Sequence, residues 1–230
     1  MSNRRAYQTF IYREAVFRIC CDAIDVVASE IVRQRKILED YIERYPEFRH
    51  SLEPLDLNSD APVIAQYMAR AARKVGVGPM AAVAGAMAQW GAEAALNTGA
   101  REVIVENGGD IYLQTREPVV IGLYSGTTEL ADRLAFSLDG CDTPLAICSS
   151  SGQMGPSMSL GRCDLATVVA KDAALADAAA THAANLVKAV EDVDVALQTI
   201  VAIEGIDGVL IIQNNRVGLT GQLPSLVKTS

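Results

Sequence analysis

Basic charge is scarce in this 230-residue chain: 20 Lys and Arg stand against 28 Asp and Glu, a formal net charge of -8. Phosphate backbones are held by clustered cations, and here the cations are scattered, so no nucleic-acid partner is expected. Cysteine is present five times (Cys20, Cys21, Cys141, Cys148, Cys163) but never in Cys-x-x-Cys spacing. That gives no support to a zinc site or a disulfide framework, and the expectation is reduced thiols in a cytoplasmic protein. The opening "MSNRRAYQTFIYREA" has charges where a signal peptide would need an apolar core, so no export signal is read there. Long hydrophobic runs are also lacking. The longest uncharged stretch, Val75 to Ala92, is interrupted by Gly76, Gly78, Pro79, Gly85, Gln89 and Gly91, which suits a buried helix better than a membrane span.

What remains is a chain with 50% hydrophobic and only 5% aromatic residues, long enough to bury one core. We read residues 1–230 as a single domain, with the loop "SLEPLDLNSDAP" (51–62) as the one place for a sub-boundary. Residues 5–20 alternate as one or two strands. Apolar residues at helical spacing then predict a helix from Ala23 to about Tyr45, stopped by Pro46. A second helix follows to about Lys74, with Ser59 or Asp60 as candidate cap, and a third is expected from Pro79 to about Leu96. "REVIVENGGDIYLQT" reads as a hairpin, "PVVIGLY", "PLAICSSSG" and "CDLATVVA" as strands, and "GVLIIQNNRVGLTG" as a hairpin turning at Asn214 and Asn215. Helices are expected over about Ala173–Val190 and Val193–Glu204. Strands joined by hairpins and interleaved with helices predict an α+β fold with a mixed or antiparallel sheet. The Ala- and Gly-rich helices permit close packing, including across a homo-oligomer interface, without requiring it.

The helix "ALADAAATHAANLV" (174–187) carries four polar side chains. At about 100° per residue, Asp177, Thr181 and Asn185 fall within an arc of roughly 80°, with His182 a further 60° or so round. Two readings of this stripe stand. One is a solvated face; yet such faces are usually built from Lys, Glu, Gln and Arg, which favour helix and are missing here. The other is a seat for a hard cation, because a carboxylate with a hydroxyl one turn away offers the oxygen ligands magnesium takes. His182, off the stripe, reads as a packing residue.

Two glycine-containing segments offer backbone to a ligand as well as a turn to the chain. In "ENGGDI" (106–111), Gly108 and Gly109 supply the positive φ of a tight hairpin, with Asn107 and Asp110 as favoured neighbours. Bare glycines would also let a ligand approach the backbone. In "SSSGQMG" (149–155), three hydroxyls and a glycine follow an apolar strand; a polar loop and an anion cradle are both compatible with it. The helix start after "GVG" presents free N–H groups and a positive dipole end, which favour phosphate.

In order, "VGVGPMAAVAGAMA", "VIVENGGDI", "SSSG", "ATVVA" and "LADAAAT" resemble the ApbE-like family, over residues 75 to about 190. Its best-known members are magnesium-dependent FMN transferases that cleave FAD and attach FMN to a threonine of a target protein. The resemblance, strongest with the compact branch of the superfamily, implies an ApbE-like (T-fold-like) sheet with packed helices. It implies Mg2+ on Asp177 and Thr181, and FAD or another small anionic ligand near Asn107, Gly108, Gly109 and Asp110 and near Ser150, Ser151 and Gly152. The transferases carry a His-Ile-Ile-Asp-Pro-like segment after the serine turn, whereas "QMGPSMSLGRCD" has no histidine. Asp164 or Cys163 then stands as the candidate acid/base, Asp164 the first choice. The lysine of their glycine helix is likewise missing from "AVAGAMA". Three readings follow: a flavin-nucleotide transferase or pyrophosphatase, a binding or assembly protein that keeps the cleft without turnover, and a site for another anionic metabolite using Asp164, Arg162 and the serine turn.

Overall fold

The computed structural model describes residues 5–124, 133–152 and 163–228. Strands β1 (Gln8–Tyr12) and β2 (Ala15–Cys20) pair as a hairpin. Helix α1 (Ile24–Arg44) buries Val27, Ile31 and Leu38 along one face, the three- and four-residue spacing that marks an amphipathic helix. After the short α2 (Glu47–His50), α3 (Val63–Val75) ends where Gly76 takes the left-handed conformation (φ +86°) and returns its N–H to the Ala72 carbonyl. The expected side-chain cap of α3 does not form: Pro62 holds that position, and Asp60 pairs with Arg44 instead.

A 3-10 turn over Pro79–Ala82 precedes α4 (Val83–Asn97), so the helix expected from Pro79 is broken in two. The next elements are β3 (Val103–Asn107), β4 (Asp110–Gln114), β5 (Val119–Gly122), β6 (Leu134–Leu138), β7 (Leu145–Ser150) and β8 (Leu165–Ala170). The chain is completed by α5 (Ala173–Leu186), α6 (Val193–Val201), β9 (Ile206–Gln213), β10 (Arg216–Gly221) and β11 (Ser225–Lys228). Helix α5 stops at Leu186 rather than Val190, because Asp192 Oδ2 accepts the amides of Lys188 and Ala189 at 2.9 Å each and starts a separate turn. The hairpin of β9 and β10 turns at Asn214 and Asn215, both at positive φ, as expected.

Eight strands form one antiparallel sheet in the order β1-β2-β3-β4-β7-β8-β9-β10, and β11-β6-β5 form a smaller one. The period-two alternation of the large sheet gives it two apolar faces. Val103, Val105, Tyr112, Ala146, Cys148, Val168 and Val209 pack beneath the helices, while Ile104, Leu113, Ile147, Val169 and Leu210 pack with Phe136 and Ile121 of the small sheet. The fold is therefore α+β with packed helices, as expected. Strands β6 and β11 add a layer that the sequence pattern does not predict. Among the described residues no helix is long and apolar enough to cross a membrane.

Candidate functional site

Helix α5 lies against the sheet almost wholly buried, touching β7, β8, α3 and α4. Asp172 caps it by accepting the Leu175 amide at 2.9 Å, and the Tyr67 hydroxyl stands 2.8 Å from the same Asp172 oxygen. Alanine suits this helix because each methyl lets a neighbouring element approach. Against that background Asp177 is only 8% exposed, so the solvated-face reading of the stripe fails at its first residue. Thr181 and His182 are half-buried. Burial pulls the His182 imidazole below its ordinary range, favouring the neutral ring.

Asp177 is held by another helix. A Cβ on Gly85 would lie 2.2 Å from the Ala173 carbonyl oxygen and 3.0 Å from Asp177 Cβ, so α4 crosses α5 at a distance only glycine allows. There the Gly85 N–H donates to Asp177 Oδ2 at 2.9 Å. The free N–H groups expected at the start of this helix thus meet an internal carboxylate. The glycine before it, Gly78, is a packing residue, since a Cβ would fall 1.9 Å from the Ser51 carbonyl oxygen.

The β3–β4 turn brings a second acid to the same place. Gly108 and Gly109 take φ of +64° and +102°, which sets Asn107 opposite Asp110 and Asp110 opposite Cys148 on β7. A Cβ on Gly108 would meet nothing within 4 Å, so the backbone there is open to approach. The Asn107 amide reaches the Ala84 carbonyl at 3.4 Å, tying the turn to the first turn of α4. Asp110, two residues before Tyr112, points to the helix side and is 6% exposed. Its Oδ1 is buried without a hydrogen-bond partner.

Electrostatics follow from this crowding. Burial pushes Asp177 up to about 7, partly opposed by the amides of Gly85 and Ala84. Burial and then the charge of Asp177 hold Asp110 well above the carboxylate range, against the Cys148 thiol and the Ser149 amide. The Cys148 thiol, 3.6 Å from the Ala173 carbonyl, is itself pushed up by burial and by both acids.

The serine segment extends β7 past this acidic pair. Ser149 Oγ and Thr167 Oγ1 are 2.9 Å apart, Ser150 is half-buried, Ser151 is buried, and the Gly152 amide donates to the Cys163 carbonyl at 2.8 Å. Asp164 is buried at the far end of β8, where its Oδ2 accepts the Asn214 amide at 2.7 Å and its own amide donates to Gln213 Oε1 at 3.0 Å. Asp164 lies four residues from Val168, the partner of Cys148, or about 13 Å along the strand. Arg162 and most of "QMGPSMSLGRCD" lie outside the described residues. The structure thus gathers Asn107, Gly108, Gly109, Asp110 and Asp177, with Thr181 one turn on, and leaves Asp164 tied to the β9–β10 turn.

Sequence reasoning missed the juxtaposition of Asp110 with Asp177 and the roles of Gly85 and Cys148. Strand parity could have put Asp110 on the helix face; nothing in the linear sequence links residues 85, 110 and 177. Among the described residues no three His, Cys, Asp or Glu side chains gather as a metal-holding group. The local donors are instead two carboxylates, the Thr181 hydroxyl and the Asn107 amide, a set of hard oxygen ligands.

Comparison with known proteins agrees with this architecture. The family model described as AbpE bacteria matches residues 19–204. The UPF0280 protein of Methanococcoides burtonii is 37% identical over 223 residues, covering 95% of this chain and 94% of its own. UPF0280 protein MJ1526 of Methanocaldococcus jannaschii is 39% identical over 208 residues, covering 88% and 84%. Among solved structures, the flavin transferase ApbE from Vibrio cholerae superposes with a TM-score of 0.60 at 15% identity, over 94% of this chain and 96% of that one. The ApbE protein from Thermotoga maritima gives 0.57 at 15% identity, over 95% and 97%. The chain belongs to the ApbE-like superfamily, in the branch formed by its UPF0280 relatives. At these identities the solved structures speak for the fold alone.

Proposed function

We propose that this protein binds FAD, or a closely related anionic nucleotide, together with Mg2+ in the cleft between the Asn107–Asp110 turn, the Ser150–Gly152 segment and α5. The carrying observation is the buried Asp177: an acid only 8% exposed, beside a second buried acid, in a helix otherwise built from alanine and leucine around it. Burying two carboxyls together is costly unless something offsets their charge. A cation does so, and Asp177 and Thr181 would hold it. Bound magnesium would supply Lewis-acid charge neutralisation to a phosphate oxygen.

The residues of the chain account for the remaining binding. Gly108 leaves room for a ligand against bare backbone, and Asn107, fixed through Ala84, offers a polar group beside it. Ser150 and Ser151 bring hydroxyls to the rim, and Gly152, whose amide is held by the Cys163 carbonyl, adds no side chain there. Asp164 is the candidate acid/base, through the oxygen not bonded to Asn214. With these parts the reaction is FAD plus water giving FMN and AMP, or attack of an acceptor hydroxyl on the FMN phosphorus of FAD, which breaks the pyrophosphate bond, forms the FMN ester and releases AMP, the hydroxyl proton passing to the base. A second reading, binding without turnover, draws on residues 152–164, which contain no histidine.

Titrating FAD into the purified chain with Mg2+ and then with chelator, while analysing for FMN and AMP, separates the readings. Magnesium-dependent binding with both products supports the enzyme, binding without product supports the cleft alone, and no binding overturns the proposal.

A further inference from the structure

We propose that Asp110 is a direct ligand of the divalent cation, the second carboxylate of the site, and that the Asn-Gly-Gly-Asp turn is built to deliver it. This rests on the cation site proposed above and adds a residue that the linear motif assigns to the nucleotide side.

A hairpin turn needs glycines at positive φ and tolerates any polar neighbour facing water. It does not need a buried acid. Yet the register of β3, β4 and β7 fixes Asp110 opposite both Asn107 and Cys148, and strand parity turns its side chain under α4 and α5. There its carboxyl has the Cys148 thiol and the Ser149 amide beside it, while Oδ1 has no partner. A buried carboxyl oxygen without a partner costs free energy, and no side chain or amide among the described residues reaches it.

The surroundings narrow what could satisfy it. Asp177 contributes negative charge, its Oδ2 accepts the Gly85 amide, and the Ala84 amide also faces its carboxyl. No Lys or Arg is hydrogen-bonded to either acid among the described residues. Asp110 Oδ1, the second oxygen of Asp177 and the Thr181 hydroxyl are three hard oxygen donors with no cationic side chain among them. A divalent ion with strong preference for oxygen, keeping waters or a phosphate in its other positions, fits that set. The arrangement also accounts for Gly85 lacking a side chain: α4 closes on α5 at a distance that lets its amide hold Asp177.

Mn2+ serves as the probe, since its free-ion electron paramagnetic resonance signal disappears on binding. Titrating the full chain with Mn2+ is expected to reveal one site, lost in Asp177→Asn and weakened about tenfold or more in Asp110→Asn. Thermal midpoints measured with and without Mn2+ give an activity-free readout: the ion should raise the midpoint of the wild-type chain and raise that of Asp110→Asn far less. Because Asp110→Asn could fold poorly, infrared difference spectra of the unaltered chain with and without Mg2+ supply a second test. Two carboxylates should shift their stretching bands. Wild-type binding with Asp110→Asn equally tight, or a single shifted carboxylate, overturns the role of Asp110 and leaves the Asp177 site standing. No Mn2+ bound by the wild-type chain overturns both.

Discussion

Asp177 of α5 accepts a hydrogen bond from the backbone amide of Gly85 on α4, at 2.9 Å, so a carboxylate from one helix fills the opening turn of another. The favourable end of the helix dipole is spent on an internal acid, and the close crossing that permits it depends on a residue with no side chain. This contact fixes where the acid of the candidate site stands.

Gly85→Ala is expected to destabilise the fold by about 1–3 kcal/mol, because the added methyl meets the backbone carbonyl of Ala173. Gly122→Ala, where a Cβ meets nothing within 4 Å, is the control and should stay within about 0.5 kcal/mol. Urea unfolding of both variants makes the comparison. Equal effects would mean that α4 and α5 are not locked at Gly85.

In the metal-free chain, stability should carry a pH dependence from Asp177. Its folded carboxyl stands at about 7, above the ordinary value near 4 of an unfolded aspartate. A raised acid binds its proton more tightly when folded. Its contribution is therefore complete below about pH 4 and is lost as pH rises through about 7, on the order of 2–4 kcal/mol in all. Asp177→Asn should reduce that slope in chelator, leaving the share that burial of Asp110 contributes, and parallel wild-type and variant curves would count against the buried acid.

Asp164 ties the end of β8 to the turn between β9 and β10 through the Asn214 amide. Asp164→Ala leaves that amide without its partner and should cost about 1–3 kcal/mol. Mn2+ binding should survive, because Asp164 lies well along the strand from Asp110 and Asp177. A loss of Mn2+ binding in a folded Asp164→Ala chain would instead connect this residue to the cation.

Thiol chemistry offers a check on packing. Only Cys141 of the five cysteines is exposed, and burial pushes Cys163 up to about 12. At pH 8 one thiol per native chain should react quickly with a soluble disulfide reagent, and all five only after denaturation. Cys141→Ser should remove the fast phase; its persistence would mean that Cys20, Cys21, Cys148 or Cys163 is more open than the fold implies.

The fold class was legible because hairpin signals are local: Gly108-Gly109 and Asn214-Asn215 announce their turns whatever surrounds them. Helix ends were less so. The break after Leu186 depends on Asp192 reaching back to two amides, and the 3-10 turn at Pro79 on Gly78 lying against Ser51. Strand β11, mostly exposed, has a weak apolar pattern, and β6 takes its meaning from pairing with distant β5 and β11. The polar stripe of α5 stood out, since Asp and Thr have no propensity reason to sit among alanines. That Asp110 stands beside Asp177 was not legible, because it follows from strand register and a helix crossing at Gly85, both set by tertiary packing.

The central claim is that Asp177 holds a cation that nucleotide binding needs. Asp177→Asn keeps an acceptor for the Gly85 amide, whereas Asp177→Ala would leave that amide unpaired at about 1–3 kcal/mol. The decisive measurement is FAD affinity of wild-type chain and Asp177→Asn, each with Mg2+ and with chelator. Mg2+ is expected to tighten FAD binding to the wild-type chain at least about tenfold and to leave Asp177→Asn unchanged. Equal Mg2+ enhancement in both, or none in the wild type, would contradict the claim.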